Sequence, residues 1–508
     1  MRNAIKALLL AALVAGLGLR LVFAWQLPFT NDEGAYLLDA KLLVGGAVAG
    51  GDVLSKSPVS AVLFATSVWL SEGSLFAGRG VVVLANLLTT IPLAYLAWRL
   101  RDASAAIMTT LLWLLIVPIS MTVFGITQPI AALFVTACLA FWYAAPESQK
   151  HYTLLNLLAG LSFALAFMSR RTSLALLVPA AYLWFITQPQ HKKSALLISL
   201  VGVVIVGAPW LAILFRLYDL PGVLQALGID YGDLIYADES AIAGQASLTW
   251  PLTVLARTGS GLVLAATIGL GWSLTKLRRN NLIPALPLLW LLALVGLYVG
   301  WPVFLPEYLI DFFAPLTLLA GLALTELWQR RARLAIATLI LITLASLLSY
   351  RSVIESPWTG MFTKEAVAQA SGELQARIPL DEPVFTAAVI IPYMSGHSVL
   401  FDIAHPLWYT YDSIPAQTKQ TFLPPLATVE QQISEGPVQW ALVEHLTDYA
   451  YLRSESQLIS LFGREWKIVT TIPNKTGFRS NTLQLYQREE CDLRPPANCV
   501  DVLPRPNR

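Results

Sequence analysis

Long apolar runs separated by short polar connections dominate the first 350 residues of the chain. The runs are about 16 to 24 residues long, which is the length that an α-helix needs to cross the hydrocarbon core of a bilayer. We therefore predict a polytopic α-helical membrane protein with about eleven spans, at residues 7–28, 80–98, 103–122, 128–144, 153–168, 172–186, 194–215, 251–274, 282–300, 308–327 and 334–350.

Residues 26–79 interrupt the regular succession of spans. Apolar positions within 37–44 and 59–70 predict two short amphipathic helices. We expect this stretch to form a large first loop that lies on the membrane surface. Glycine pairs, charges and a proline make it too broken for one span, at Gly45-Gly46, Gly50-Gly51, Asp52, Lys56 and Pro58.

The first apolar run has two interpretations. Val22-Phe23-Ala24 ends in a small residue, as the cleavage site of a secretory signal peptide does. The run is long for a signal peptide, however, and it contains Arg20. We therefore favour a retained first span.

Residues 351–508 have a different composition. Short apolar stretches at 384–391, 398–401, 439–443 and 482–486 predict strands, and residues 363–376, 426–434 and 454–461 predict helices. Alternation of the two types predicts a small α/β domain. The chain is thus expected to have a membrane domain at 1–350 and a second domain at 351–508.

The placement of basic residues predicts the orientation. Alternate short connections carry most of the bases, among them Arg2, Lys6, Arg99, Arg101 and Arg330, and such connections are typically cytoplasmic. With a cytoplasmic N-terminus and an odd number of spans, residues 351–508 lie outside the cytoplasm. We expect a multi-pass protein of the plasma or inner membrane.

Charge and cysteine content narrow the function classes. Hydrophobic residues make up 56% of the chain and charged residues 13%, against roughly 25% charged in a soluble domain. The 34 Lys and Arg balance 32 Asp and Glu, which excludes a typical nucleic-acid-binding protein. Cys491 and Cys499 could close a small disulfide loop in an oxidising compartment, or be two unrelated thiols.

Two adjacent carboxylates, Asp32 and Glu33, directly follow the first apolar run. Thr30 or Asn31 could cap a helix whose positive end the two acids complement, which is common on exposed helices. Alternatively, the acids belong to a site, because an acid at this depth of a membrane protein is costly and other outward connections supply paired arginines.

The order of residues in this loop is similar to the first extracytoplasmic loop of glycosyltransferase family 39. That family's relatives include the protein O-mannosyltransferases and the lipid A aminoarabinose transferases, multispan enzymes of the C-type glycosyltransferase fold. The acidic pair is the family's hallmark, and segments 160–171 and 308–321 resemble the family more weakly. The loop residues that carry the resemblance are Asp32-Glu33, Tyr36, Gly50 to Asp52, Lys56 with Pro58, and Ala77-Gly78-Arg79.

The resemblance implies a polyprenyl-phosphate-dependent hexosyl or pentosyl transferase. In such a reaction, phosphate leaves as an anion that cations must stabilise. The acceptor hydroxyl needs a base, and inversion at the anomeric carbon would follow. We assign Asp32 as the base, with Glu33 as the second candidate. The residues predicted to bind the donor phosphate are Lys56, Arg79, Arg170 and Arg171. The residues predicted to contact the substrate are Tyr36, Asp52, Tyr231, Asp233, Tyr308 and Asp311.

Several points depart from the family's pattern or stay open. Gln128 stands where an aspartate is frequent, and Glu307 precedes Tyr308 where a base is frequent. The sequence establishes no cofactor. A divalent cation is the one candidate, because the connection 216–250 carries carboxylates beside aromatic residues. The same connection could instead be only a solvated acidic loop. The expected partners are a polyprenyl-phosphate sugar, a glycan, lipid or protein acceptor, and the membrane.

Two other function classes remain. A multispan lipid or polysaccharide transporter or flippase would also have many spans and buried charges, but it should place ionisable groups near mid-span and often shows inverted repeats. A noncatalytic homologue whose C-terminal region binds a partner is the third reading.

Overall fold

The computed structural model describes residues 2–47, 57–187, 192–217, 223, 249–278, 285–299, 306–355, 362–402, 426–434, 438–444, 466–475 and 480–488. These residues form two compact units. The first takes its residues from Met1–Leu27, Ser55–Asp230 and Ser240–Glu355, and the second from Pro28–Leu54 and Ser356–Arg508. The second unit therefore joins part of the predicted first loop to the C-terminal region. The division into functional domains at residue 350 stays a prediction.

The first unit is built of apolar helices. Among the described residues, eight helices are long and apolar enough to cross a membrane, and three of the remaining predicted spans fall on the shorter apolar helices Ala103–Leu115, Arg171–Ile186 and Ala285–Val299. The prediction of a polytopic helical membrane protein is confirmed. The helices of this unit are α1 (Arg2–Gln26), α3 (Pro58–Leu70), α4 (Ala77–Leu100), α5 (Ala103–Leu115), α6 (Gln128–Ala144), α7 (Tyr152–Ser169), α8 (Leu177–Thr187), α9 (Lys192–Leu217), α10 (Thr249–Thr258), α11 (Ser260–Leu277), α12 (Ala285–Val299), α13 (Ile310–Arg330) and α14 (Ala332–Glu355).

Two predicted spans are interrupted. The span predicted at 251–274 is broken at Gly259 into α10 and α11. The span predicted at 103–122 ends as an α-helix at Leu115, and residues 116–127 follow as mostly irregular chain with a short 3₁₀ turn. Residues 116–119 and 121–127 are buried. Pro118 explains this break in part, because proline disfavours the helical conformation of the residue before it.

Arg20 and Tyr350 stabilise the early end of α5. A helix end buried in an apolar environment leaves carbonyl groups that need donors. The Arg20 guanidinium, which is completely buried, donates to Trp113 O at 3.0 Å and Leu114 O at 2.8 Å. The Tyr350 hydroxyl donates to Leu115 O at 2.8 Å. The base inside the first span thus serves as the cap of a neighbouring helix.

Helix α13 is the central helix of the first unit. Most of its membrane-spanning window is buried, and it packs against α4, α5, α6, α11, α12 and α14. At its end, the Glu326 carboxylate binds Lys276 Nζ at 2.7 Å, Arg330 Nη2 at 2.7 Å and Arg101 Nη1 at 3.2 Å. Asp311 lies in its first turn, about 22 Å away along the helix at 1.5 Å per residue.

The second unit contains a four-stranded mixed sheet with helices. In spatial order the strands are β1 (Val384–Phe385), β2 (Trp440–Val443), β4 (Ser480–Arg488) and β3 (Trp466–Lys475). Strand β1 is parallel to β2, whereas β4 is antiparallel to both β2 and β3. The predicted α/β character is confirmed. The helices of this unit are α2 (Asn31–Val44), α15 (Lys364–Arg377), α16 (Ile390–Ser395) and α17 (Leu426–Ser434).

Some predicted strands of this unit are wrong in detail. Only Val384 and Phe385 of the stretch 384–391 form a strand, because the chain turns into α16 at Ile390. The stretch 398–401 makes a single bridge, between Val399 and Val384. Strand β3 was not predicted, and the helix predicted at 454–461 lies outside the described residues.

Candidate functional site

The acidic pair occupies the first turn of α2, where its two members have different environments. Thr30 has extended backbone and its hydroxyl accepts from the Glu33 N–H at 3.1 Å, while Glu33 Oε2 accepts from the Thr30 N–H at 3.0 Å. This reciprocal pair is a capping box. Glu33 is buried, whereas Asp32 beside it is exposed. Asp32 is therefore the member of the pair whose carboxylate is accessible to a substrate.

Other residues of α2 flank the acid. Tyr36, a predicted substrate contact, is half-buried one turn further along. Asn31 is buried, and its Oδ1 atom has no hydrogen-bond partner within the described part of the chain. A buried oxygen without a donor costs about 1–3 kcal/mol, so Asn31 is a candidate contact for a hydroxyl group. From the sequence alone, Asn31 is predicted only as a possible helix cap.

In the first unit, Arg170 and Asp311 form the centre of a polar cluster. Arg170 follows the last residue of α7 with an extended backbone, which turns its side chain out of the helix register. Its Nε atom donates to Asp311 Oδ2 at 3.2 Å and to Thr172 Oγ1 at 2.9 Å. The same Asp311 oxygen accepts from Thr172 Oγ1 at 2.9 Å and from the Tyr298 hydroxyl at 2.5 Å. Three elements, the ends of α7 and α12 and the start of α13, thus converge on one carboxylate oxygen.

Aromatic rings cover the guanidinium group of this cluster. Arg170 Cζ lies 4.8 Å from the centroid of the Tyr308 ring, and Tyr308 stacks on Tyr298 at 5.5 Å. Burial lowers the pKa of Arg170, but Tyr298, Asp311 and Tyr308 raise it well above its ordinary value. The group is therefore a permanent cation held in a fixed orientation, which suits it to an anionic ligand.

Arg171 and Arg79 differ in how the structure uses them. Arg171 is half-buried and opens the 3₁₀ turn Arg171–Leu176. Arg79 is fully buried, and its Nη1 atom donates to Ala24 O at 2.6 Å and Leu27 O at 3.0 Å, at the end of α1. Part of the Arg79 side chain thus caps a helix, and its assignment to the donor phosphate stays a prediction.

The irregular segment 116–127 lies next to Arg79. Phe124 packs with its ring centroid 5.4 Å from Arg79 Cζ. Non-helical backbone at membrane depth is tolerated only where protein buries it or where it lines a polar cavity. The segment together with Arg79 marks this region as one with polar groups inside the helical unit.

The structure brings together only part of the predicted site. Arg170, Tyr308 and Asp311 form one cluster in the first unit, and Asp32, Glu33 and Tyr36 share one helix in the second. Tyr298 and Thr172 complete the first cluster and were missed, because nothing in their spacing distinguishes them from ordinary span residues. Lys56, Asp52, Tyr231, Asp233, Cys491 and Cys499 lie outside the described residues.

The described residues offer no ready metal centre. Within the ranges that the structure describes, no three His, Cys, Asp or Glu side chains are grouped closely enough to hold a metal ion. The divalent cation considered from the sequence was placed in the connection 216–250, most of which lies outside those ranges.

The fold has counterparts among solved membrane proteins. It is similar to the crystal structure of ArnT from Cupriavidus metallidurans bound to undecaprenyl phosphate, with a TM-score of 0.64 and 13% identity over 95% of this chain and 98% of that chain. It is also similar to the oligosaccharyltransferase AglB from Archaeoglobus fulgidus in complex with an inhibitory peptide and a dolichol-phosphate, with a TM-score of 0.55 and 13% identity over 98% of this chain and 75% of that chain. The predicted fold class, that of the C-type membrane glycosyltransferases with a small C-terminal α/β region, is confirmed.

A family profile matches part of the first unit and indicates the same class of protein as the fold does. Residues 55–213 match the profile of the family described as dolichyl-phosphate-mannose-protein mannosyltransferase. This match and the ArnT-like fold confirm the predicted resemblance to glycosyltransferase family 39 and its relatives, a family of polyprenyl-phosphate-sugar-dependent glycosyltransferases. The matched segment begins after the acidic pair and includes Arg79, Arg170 and Arg171.

Proposed function

We propose that this chain is a membrane glycosyltransferase that takes its sugar from a polyprenyl-phosphate donor and transfers it to an acceptor hydroxyl at the extracytoplasmic face. The observation that carries the proposal is the family match over residues 55–213 on a fold similar to ArnT across nearly the whole chain. ArnT and AglB were solved with undecaprenyl phosphate and dolichol-phosphate, respectively, which supports the donor class.

The proposed reaction is a single displacement at the anomeric carbon. The acceptor oxygen attacks C1 of the sugar, and its proton passes to the Asp32 carboxylate. The bond from C1 to the phosphate oxygen breaks with its electron pair on oxygen, so that polyprenyl phosphate leaves as an anion. Attack opposite to the leaving group inverts the anomeric configuration.

Arg170 is the cation that we assign to the departing phosphate. Its charge is permanent, its orientation is fixed by Asp311 and Thr172, and the Tyr308 ring shields one face. Preorganised donors of this kind stabilise developing charge without the cost of reorienting solvent. Arg171 is the next candidate, and Lys56 and Arg79 stay predictions.

The orientation is also part of the proposal. Arg101, Lys276 and Arg330 come from three connections predicted to be cytoplasmic, and all three contact Glu326 at one end of α13. Arg170 and Asp311 belong to the opposite end. This arrangement supports a cytoplasmic N-terminus and an extracytoplasmic location for the Arg170 cluster.

The structure weakens the main argument for a transporter. A transporter typically uses ionisable groups near mid-span. Arg20 is the buried base within α1, and its guanidinium donates to Asn86, Gly16, Trp113 and Leu114. Its place in the span is therefore explained by helix capping.

The test is a transfer assay with the protein in lipid vesicles. Purified protein would be supplied with a panel of radiolabelled polyprenyl-phosphate monosaccharides and with cell-envelope membranes as acceptor, and the transfer of label would be scored. Asp32→Asn should lower the rate by about 10²–10⁴-fold, the range for loss of a general base. Asp381→Asn, at another exposed acid of the second unit, should match the wild type.

Glu33→Gln separates the two acids. Glutamine also completes a capping box, so this variant keeps the start of α2 while removing the charge. We expect a loss of less than about tenfold, because Glu33 acts mainly as a cap. Full transfer by Asp32→Asn would remove Asp32 as the base, and no transfer of any label by folded wild-type protein would contradict the proposed function.

A further inference from the structure

The helix that carries Asp32 is part of the same compact unit as the C-terminal region. Just before α2, Phe29 pairs with Phe362 through two backbone hydrogen bonds, of 2.8 and 3.2 Å. One face of α2 then packs in a small apolar cluster of Ala35, Leu38, Val389 and Val399. The acid helix is thus held by residues that lie more than 300 positions later in the chain.

Gly34 is the point of closest approach between α2 and α16. A Cβ atom at Gly34 would lie 2.7 Å from Ile390 N, 2.9 Å from Ile390 Cβ and 3.0 Å from Ile390 Cα. Two of these atoms belong to the backbone, so a change of side-chain rotamer cannot relieve the contact.

No local reason requires glycine at position 34. The residue lies in the first turns of a regular helix and is not among the glycines with positive φ. Glycine inside a helix is less favourable than alanine. The close approach of α16 is the feature that explains a glycine two residues after Asp32.

A second contact holds the other end of α2. Lys41 Nζ lies 5.8 Å from the centroid of the Tyr393 ring, and Tyr393 belongs to α16. Gly34 and Lys41 are seven residues apart, or about two helical turns, and lie on roughly the same side of α2. One short helix therefore contacts α2 near both ends.

We propose that Gly34 is a positioning residue, through which the C-terminal region fixes the acid helix and hence the Asp32 carboxylate against the acceptor hydroxyl. The inference rests on the proposed function, in which Asp32 is the base. It assigns the C-terminal region a part in the chemistry besides any contact with the acceptor.

The size of the expected effect follows from the geometry. Ordinary van der Waals contact begins at 3.4 Å, so a methyl group 2.7 Å from Ile390 N requires a displacement of about 0.7 Å. A misplacement of about 1 Å in a catalytic group can cost on the order of 100-fold in rate. Gly34→Ala should therefore lower kcat by about 10- to 100-fold and leave the KM for the polyprenyl-phosphate donor near the wild-type value.

The matched control is Gly372→Ala. Gly372 lies within α15 of the same unit and is exposed, and an added Cβ meets no atom within 4 Å. This variant should keep the wild-type kcat. Thermal unfolding of both variants would be measured beside the kinetics, to normalise kcat to folded protein.

A double-mutant cycle separates positioning of Asp32 from a general structural effect. If Gly34 acts through Asp32, Gly34→Ala should cause little further loss in the residual activity of Asp32→Asn. An equal fold-loss in both backgrounds would overturn the inference, and so would wild-type kcat in folded Gly34→Ala. Full activity of Asp32→Asn alone would instead contradict the proposed role of Asp32.

A milder variant covers the case in which Gly34→Ala does not fold. Lys41→Met keeps the apolar stem of an exposed side chain but removes the cation above the Tyr393 ring. Loss of an exposed cation–π contact corresponds to about a threefold effect, which we expect in kcat without a change in donor KM. An unchanged kcat in this variant would overturn the inference.

Discussion

Asp311→Asn tests whether the Arg170 cluster holds the phosphate of the donor. Asparagine has nearly the shape of aspartate and keeps an oxygen that can accept hydrogen bonds from Thr172 and Tyr298. What it removes is the negative charge 3.2 Å from Arg170 Nε. The variant therefore isolates the electrostatic part of the cluster.

Two effects of opposite sign follow from the charge. Without ligand, Arg170 loses its counter-ion in a site where the side chains of Arg170 and Asp311 are only 14% and 10% exposed. This should lower the free energy of unfolding by about 3 kcal/mol. With ligand, the phosphate would bind on the far side of Arg170, about 7 Å from Asp311. At an effective dielectric constant of about 20, the negative charges of the phosphate and Asp311 repel each other by about 2 kcal/mol, and the substitution removes this repulsion. Screening reduces the gain, so we expect polyprenyl phosphate to bind about tenfold more tightly.

The assay is thermal unfolding of purified protein with and without undecaprenyl phosphate, together with the KM for the donor. The variant should unfold at a lower temperature than the wild type without lipid and gain a larger stabilisation from it. Glu326→Gln is the control, because it removes a carboxylate that binds three cations at the other end of α13. It should lose stability but respond to the lipid as the wild type does.

Two results would refute this reasoning. Weaker binding of undecaprenyl phosphate by Asp311→Asn would mean that the Asp311 charge, by orienting Arg170, favours phosphate binding instead of opposing it. A response of Glu326→Gln equal to that of Asp311→Asn would mean that the effect on lipid binding is not local.

Substitutions at three further positions test separate parts of the structure. Arg170→Leu should raise the KM for the polyprenyl-phosphate donor at least about tenfold. Arg170→Lys should restore only part of the loss, since lysine lacks the planar guanidinium that stacks on a ring, and a wild-type KM in Arg170→Lys would contradict this. Arg20→Leu should lower the free energy of unfolding by about 4 kcal/mol in denaturant titration, because three buried oxygens, Trp113 O, Leu114 O and Asn86 Oδ1, lose their donor. A loss below about 1 kcal/mol would show that the cap is dispensable. Thr30→Ala removes the N-cap of α2 and should lower the free energy of unfolding by about 1 kcal/mol, and with it the unfolding temperature and kcat. Failure of Thr30→Ser to restore the unfolding temperature and kcat would argue against the cap.

The sequence predicted best what depends on local pattern. The membrane helices follow from hydropathy, and a cap before the acidic pair was predicted at Thr30 or Asn31, of which the structure shows Thr30. Hydropathy alone, however, cannot separate α10 from α11 at Gly259, nor show that α5 ends at Leu115 where Arg20 and Tyr350 supply donors. Those features depend on contacts between residues far apart in the chain.

In the candidate site, too, the sequence alone does not show the contacts between residues that lie far apart in the chain. The family resemblance predicts Asp311 and Tyr308 as substrate contacts, and this stays a prediction. Only the structure shows that Asp311 Oδ2 accepts from Arg170, Thr172 and Tyr298. Tyr298 lies in an apolar stretch with no motif around it. In the C-terminal region, the apolar run after Val384 looked like one strand because a buried strand and a short buried helix have similar composition.

The contact between Gly34 and Ile390 also bears on biogenesis. A ribosome makes α2 early and α16 only after more than 300 further residues, so the nascent chain carries its acid helix without the surface on which that helix packs. If Asp32 is the base, as proposed, we expect its helix to reach the folded position only after translation has passed residue 395, the end of α16.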